Sequence, residues 1–184
     1  MIITVSGKAG AGKDTVADHL INSYGFKKIS LADPIKRLTK DVFALTDFQV
    51  YDRVEREKPL EQWGGRTVRQ LLQQIGTELF RDNIDPDIWV KSLWFTIKES
   101  KDNYVVPDVR FPNELNFLKG NVPAFDFTSI KVTREGCDGK VGVVGHRSEA
   151  YDLPTIHTVE NNGTMDELYI KVDDIMHNMV MRKF

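Results

Sequence analysis

The sequence predicts an α/β fold in three layers, a central parallel sheet of about five strands flanked by helices, with added helices after the second strand and a short lid. Three observations predict it. Runs of strand character alternate with runs of helical period from end to end, the pattern that brings strands together in parallel. The first strand passes through a glycine-rich turn, Gly7 to Lys13, straight into a helix. The chain has 184 residues, 41% of them hydrophobic, which is enough for one domain with its own core.

The elements follow in order. Met1 to Ser6 is a short apolar run, read as a strand. Thr15 to Tyr24 has helical spacing, with Val16, Ala17, Leu20 and Ile21 on one face and Gly25 as its stop. Lys28 to Ala32 reads as a second strand. Asp33 and Pro34 open a helix whose apolar positions include Ile35, Leu38, Val42 and Phe43. Asp47 to Gly65 is polar, irregular and charged, and reads as a mobile connection. Arg66 to Arg81 is helical, with an apolar stripe at Val68, Leu72, Ile75 and Leu79. Asp87 to Lys98 is a further helix, and Tyr104 to Pro107 a strand ending at Asp108. Asn113 to Lys119 is a short helix, Phe127 to Thr133 a strand, and Glu135 to Gly145 a glycine-bearing loop. Thr155 to Glu160 is the last strand. Asn161-Asn162-Gly163 turns, and Thr164 caps a final helix through about Met181. No internal repeat or second-domain boundary is evident. One domain over 1–184 is expected, with an insertion over about 33–100 and a lid over about 134–150.

Composition excludes several function classes. Lys+Arg 25 against Asp+Glu 27 gives a formal net charge of −2, which argues against a nucleic-acid polymer as partner. The single cysteine, Cys137, rules out an intrachain disulfide framework and a thiolate cluster, and suits a reducing cytoplasm. No apolar stretch approaches ~18 residues, so no membrane span is expected. The sequence leaves oligomeric state open, a homodimer included.

Gly7-Lys8-Ala9-Gly10-Ala11-Gly12-Lys13 fits the phosphate-loop pattern G-x-x-x-x-G-K. Its glycines let backbone N–H groups converge on phosphate oxygens, and the next helix points its positive end at the same anion. Lys13 can reach the outer phosphates and neutralise charge during transfer. The hydroxyl residue usual at the next position is replaced by Asp14, with Thr15 one later. Asp14 suits magnesium-bound water or the helix dipole equally well. Thr15 can offer its hydroxyl to a phosphate or to magnesium water.

A second set of residues suits the group that receives the phosphoryl. Arg66, Arg69, Gln73 and Thr77 recur at steps of three and four, one face of a helix. Arg69 offers a guanidinium fork to a phosphate, and the Gln73 amide could read a base edge. The same spacing fits a plain solvated face. Leu31-Ala32-Asp33-Pro34, followed by Lys36 and Arg37, lies just past a strand, where ligands of parallel sheets bind. Asp33 could equally cap its helix. Asp108 at a strand's end could hold magnesium water or take the acceptor proton, and Arg110 could bind the acceptor phosphate. A strand-end salt bridge is the plainer account of both. Arg134 and Arg147 flank the glycine-bearing loop, and a lid carrying them would add positive charge and exclude water. His146, Ser148 and Glu149 lack a nucleophile or metal-ligand spacing and read as lid or structural residues. Trp63, Trp89 and Trp94 read as core, with Trp89 able to border the acceptor pocket.

Together these segments resemble the deoxynucleoside monophosphate kinases of tailed bacteriophages. The resemblance runs through Gly12-Lys13-Asp14-Thr15, Leu31-Ala32-Asp33-Pro34 with Lys36, Arg69 to Gln73 leading to Gly76-Thr77-Glu78, Arg81 and Trp89. It continues through Asp108-Val109-Arg110-Phe111-Pro112-Asn113-Glu114, His146 with Ser148-Glu149, and Asn161-Asn162-Gly163-Thr164. It implies a fold similar to nucleoside monophosphate kinases. It also implies transfer of the ATP γ-phosphoryl group to a deoxynucleoside monophosphate, with magnesium, and acceptor-binding roles for Asp33, Lys36, Arg69, Gln73, Trp89 and Arg110, with Arg37 an acceptor-binding candidate by its position. Within such a family Asp14 is expected. Two other readings remain open from the sequence. One is a small-molecule kinase resembling dephospho-coenzyme A kinase. The other is a nucleotide-binding regulatory module, although the guanine-reading Asn-Lys-x-Asp segment of GTPase switches is absent.

Overall fold

A computed structural model describes residues 1–137 and 152–181. In chain order its elements are β1 (Ile2–Ser6), α1 (Lys13–Tyr24), β2 (Lys27–Lys28), α2 (Ala32–Val42), α3 (Asp47–Tyr51), β3 (Pro59–Leu60) and β4 (Arg66–Thr67). There follow α4 (Val68–Gln73), α5 (Ile88–Ile97), β5 (Tyr104–Val106), α6 (Pro112–Asn121), β6 (Phe127–Thr133), β7 (His157–Glu160) and α7 (Met165–Met181). The chain divides into two compact units, one formed by Met1–Ser30 with Thr96–Phe184 and the other by Leu31–Phe95.

The first unit is built on a five-stranded sheet in the order β2-β5-β1-β6-β7. Every strand pair in it is parallel, with β1 in the middle (Ile3 opposite Val105 on one side and Thr128 on the other). All five residues of β1 are buried, as a central parallel strand covered on both faces requires. This is why it reads as a continuous apolar run. From α1, Val16, Ala17 and Leu20 enter the same core as Leu168, Val172, Met176 and Met179 of α7. Each large apolar side chain so buried contributes about 1.5–3 kcal/mol. Gly25 ends α1 in the left-handed conformation (φ 68°), its N–H bonding back to the Ile21 and Leu20 carbonyls.

α1 and α7 are also tied by polar groups. His19 Nε2 lies 2.6 Å from Asp173 Oδ1, and the Tyr24 hydroxyl donates to the same oxygen at 2.7 Å. The His19 ring stacks on Tyr169 at 4.2 Å. Burial, and then the bond to Asp173, push the Tyr24 phenol up from 10.0 to about 12. Burial also pushes the Asp173 carboxyl up, but the bonds from His19 and Tyr24 outweigh it and hold the group below its ordinary value. The neutral phenol therefore favours the folded chain, and its contribution is complete below pH 10 and lost as pH rises towards about 12. Urea midpoints measured from pH 8 upwards should fall more steeply in this alkaline window for the natural chain than for Tyr24→Phe. Equal slopes would remove Tyr24 from the linkage.

The second unit has its own core of Leu45, Val50, Leu60, Val68 and Leu71, with Phe43 and Leu72 against it. Asp47 to Gly65, expected to be irregular, is ordered here. α3 is capped reciprocally by Thr46 and Gln49, a short 3₁₀ turn spans Glu55–Glu57, and β3 pairs antiparallel with β4. Val50 and Leu60 are the buried anchors that hold it.

Further expectations are corrected. The second strand is only Lys27–Lys28: Ile29 still donates to the Val105 carbonyl, but Leu31 already has helical angles (φ −62°, ψ −28°). Leu31 is thus the N-cap residue of α2 and Asp33 lies in its first turn, so Asp33 is not the cap. The helix expected over 66–81 begins as strand β4, becomes α4, and widens into a π-helix over Gln74–Arg81, where Asp82 N–H bonds five residues back to Thr77. The wider turn rotates less per residue. Leu71 instead of Leu72 is buried, and Leu79 is 55% exposed. Trp63 is also exposed, its indole N–H donating to the Phe43 carbonyl.

Candidate functional site

In a parallel sheet all carboxyl ends of the strands lie along one edge, where ligands of such folds bind. In the first unit that edge carries Gly7 after β1, Ser30 beyond β2, Asp108 after β5, Arg134 after β6 and Asn161 after β7.

Gly7, Gly10 and Gly12 of the loop after β1 all have positive φ, and at two of them a side chain would also clash. Gly7 has φ +139°, and a Cβ there would sit 2.2 Å from the Val132 carbonyl oxygen. Gly12 has φ +105°, and its Cβ would sit 2.4 Å from Asn161 Nδ2. Gly12 is also the N-cap of α1 and brings no side-chain cap. By contrast α3, α4 and α7 are capped by threonine with Gln or Glu three residues on: Thr46 with Gln49, Thr67 with Gln70, Thr164 with Glu167. At α1 the helix N–H groups thus have no side-chain oxygen from the N-cap and present a positive end to an anion. Within the loop Ala11 N–H donates to the Lys8 carbonyl at 3.2 Å, and Lys13 Nζ donates to the same oxygen at 2.8 Å. Ala9 is half-buried, Gly10 is exposed and Ala11 is fully buried. Asn161 Nδ2 donates to the Ala11 carbonyl at 2.9 Å. Asp14 is exposed and faces Lys28 at 3.4 Å, while Thr15 is half-buried in the first turn of α1.

Asp108 is half-buried and accepts from Ser30 Oγ at 2.5 Å, joining the ends of β5 and β2. Arg110 is exposed. Its backbone N–H and that of Phe111 both donate to Glu114 Oε2, at 2.9 and 3.0 Å. Arg134 is exposed at the end of β6, its carbonyl accepting from Cys137 N–H. Arg147 lies outside the described residues, as do His146, Ser148, Glu149 and most of the expected lid.

The remaining candidates sit in the second unit. Lys36 Nζ is 3.8 Å from Asp33 and 5.1 Å from the centre of the Tyr51 ring. Arg37 is exposed. Arg69 Nε donates to Glu57, and Gln73, one turn on, is half-buried. The expected face of four does not form: Arg66 is on β4 and Thr77 in the π-helix, leaving Arg69 and Gln73 together on α4. Trp89 is 5% exposed and donates its indole N–H to the Gly76 carbonyl at 2.8 Å, so it packs as core.

Sequence reasoning gave no role to Ser30, Glu57, Glu114 or Asn161. The partners of Ser30, Glu57 and Asn161 lie elsewhere in the chain, whereas Glu114 bonds within its own turn and had a local signal, as the acid three residues into the helix behind Phe111. Among the described residues no three His, Cys, Asp or Glu side chains gather to hold a metal. No helix among them is long and apolar enough to cross a membrane.

The family model for deoxynucleotide monophosphate kinase matches residues 1–58 and 46–172. A protein of Acanthamoeba polyphaga mimivirus, whose name provisionally gives that same activity, is 34% identical, covering 97% of each chain. The deoxynucleotide monophosphate kinase of Enterobacteria phage T4 is 24% identical, covering 95% of this chain and 98% of its own. Among solved structures, a shikimate kinase from Acinetobacter baumannii in complex with shikimate aligns with TM-score 0.54 at 14% identity, over 100% of this chain and 94% of that one. A gluconokinase from Sinorhizobium meliloti aligns with TM-score 0.50 at 13% identity, over 99% and 97%. These likenesses concern the fold.

Proposed function

Because this chain belongs to the deoxynucleotide monophosphate kinase family, we propose that its phosphate loop holds ATP and that residues of its second unit bind the acceptor nucleotide. The activity is phosphoryl transfer to a deoxynucleoside monophosphate. An oxygen of the acceptor phosphate attacks the γ-phosphorus, the bond to the β,γ-bridging oxygen breaks, and ADP leaves as the diphosphate forms. That oxygen is already anionic at neutral pH, so positioning and charge stabilisation carry most of the rate.

The observation that carries the reading is α1 opening without a side-chain cap behind Gly12, with Lys13 as its first residue. Backbone N–H groups of Gly7 to Lys13 receive the ATP phosphates, and Lys13 moves from the Lys8 carbonyl to the charge that develops in transfer. Thr15 adds a hydroxyl. In the second unit Arg69 exchanges Glu57 for the acceptor phosphate, and Gln73 reads the base; in the first unit Arg110 offers a cation for phosphate. Lys36 and Arg37 add positive charge beside Asp33. Arg134 and Arg147 meet the transferring group.

Magnesium fits the donor chemistry of the first unit. Ser30 and Asp108 meet at 2.5 Å with hard oxygens only, and no protein cage competes among the described residues. Magnesium keeps most of its waters and is commonly held by one carboxylate and phosphates. Asp108, with Asp14 and Thr15, would hold those waters, and the ion would supply neutralisation of phosphate charge. Cytoplasmic action suits the lone cysteine.

The test is ADP release by the purified chain with ATP and magnesium over the common deoxy- and ribonucleoside monophosphates and dephospho-coenzyme A. Turnover is expected with one or more deoxynucleoside monophosphates. Turnover with dephospho-coenzyme A alone, or slow hydrolysis indifferent to any acceptor, would overturn the reading.

A further inference from the structure

Asn161 belongs to the turn between β7 and α7, 150 residues from the loop it touches. Its backbone N–H donates to the Thr133 carbonyl at 2.8 Å, carrying the β6–β7 pairing one step further and fixing where the residue stands. Its half-buried side chain then reaches across, and Nδ2 donates to the Ala11 carbonyl at 2.9 Å. The fit is close, since the same Nδ2 lies 2.4 Å from where a Cβ on Gly12 would be. The next residue, Asn162, accepts from Glu135 N–H at 2.9 Å, so this turn is anchored on both sides.

The consequence follows from peptide geometry. No peptide in the described chain is cis. In a trans peptide the C=O and the next N–H point in opposite directions. Holding the Ala11 carbonyl toward Asn161 therefore turns the Gly12 N–H to the opposite side of the loop. The plane rotates easily without that hold, because Gly12 tolerates angles closed to other residues. A rotated plane would present a carbonyl oxygen where a phosphate oxygen needs a donor.

We propose that Asn161 is a positioning residue of the phosphate loop: its amide holds the Ala11 carbonyl and so keeps the Gly12 N–H aimed at bound phosphates. This rests on the reading of Gly7 to Lys13 as the ATP phosphate site. The ligand it serves is the polyphosphate, not the base.

The experiment uses the full chain and measures, by calorimetry, binding of magnesium tripolyphosphate and of adenosine. Steady-state KM values for ATP and for the best deoxynucleoside monophosphate accompany it. Asn161→Ala should weaken tripolyphosphate by about tenfold, the effect of one lost hydrogen bond, and raise the KM for ATP similarly. Adenosine binding and the acceptor KM should stay within about twofold, since neither engages the loop. Asn161→Asp keeps the shape but replaces the donor with an oxygen facing a carbonyl, and should lose at least as much at pH 8; it carries the test if the alanine variant folds poorly. Unchanged tripolyphosphate binding in both variants overturns the proposal. So does loss of adenosine binding alone, or a loss shared equally by the acceptor KM. Lys13→Ala is the separate control. If it binds tripolyphosphate normally, the loop reading itself fails; if it does not while the Asn161 variants do, only the present inference fails.

Discussion

Replacing Lys13 by alanine is expected to lower turnover by about a thousandfold and to leave the chain folded. The size follows from charge. In the proposed site the bridging oxygen of ATP gains negative charge as its bond to phosphorus breaks, and the peptide N–H donors of the loop are neutral. A full positive charge there is worth more than one neutral donor, whose loss typically costs 10²- to 10³-fold. Folding should be little affected for a local reason. Lys13 is the first residue of α1 and only half-buried, and alanine is the strongest helix former. A coupled assay for kcat and a thermal melt check both halves. Near-normal turnover would remove Lys13 from the chemistry, and a large drop in melting temperature would mean that its contact with the Lys8 carbonyl holds the loop together.

What the sequence made legible depended on how local each determinant is. β1 was readable because burial on both faces favours apolar residues (Ile2, Ile3 and Val5), β6 because β-branched residues dominate it, and the end of α1 because Gly25 takes φ 68°. The phosphate loop was readable for the same reason: seven consecutive residues carry its requirements. β2 was misplaced because Ile29 and Leu31 are as apolar as strand residues, although Leu31 has already entered the helix. Asp47 to Gly65 was missed because its elements are too short to show a period. Its one usable sign was Thr46 followed three residues later by Gln49. The π-helix is a tertiary matter. The Gly76 carbonyl is taken by the Trp89 indole, and a Cβ on Gly76 would stand 3.0 Å from Ile35, contacts no local window contains. That widening separated Thr77 from Arg69 and Gln73, which straight helical spacing had placed on one face. Asn161 and Ser30 were out of reach for the same reason, since the side chain of each bonds to a residue far away in the chain.

Glu114 tests how a requirement set within a single turn is enforced. The residue is 2% exposed, and one of its oxygens accepts the N–H groups of both Arg110 and Phe111. Pro112, at the start of α6, has no N–H to offer, so the turn from β5 into α6 concentrates its donors on this carboxylate. Glu114→Ala would leave those N–H groups facing a small cavity and is expected to cost about 3–5 kcal/mol in urea unfolding. Glu114→Gln keeps an acceptor oxygen of the same shape while removing the charge and adding a buried amide, and should cost about 1–2 kcal/mol. The glutamine variant is the informative one for function. Asp108 precedes this turn by two residues and Arg110 lies in it, so a slackened turn should raise the KM for the deoxynucleoside monophosphate more than the KM for ATP. An alanine variant losing under about 1 kcal/mol would show the turn to be held by other contacts. A glutamine variant that is weakened in stability yet unchanged in acceptor KM would confine Glu114 to the fold, and would place the setting of Asp108 with Ser30 instead.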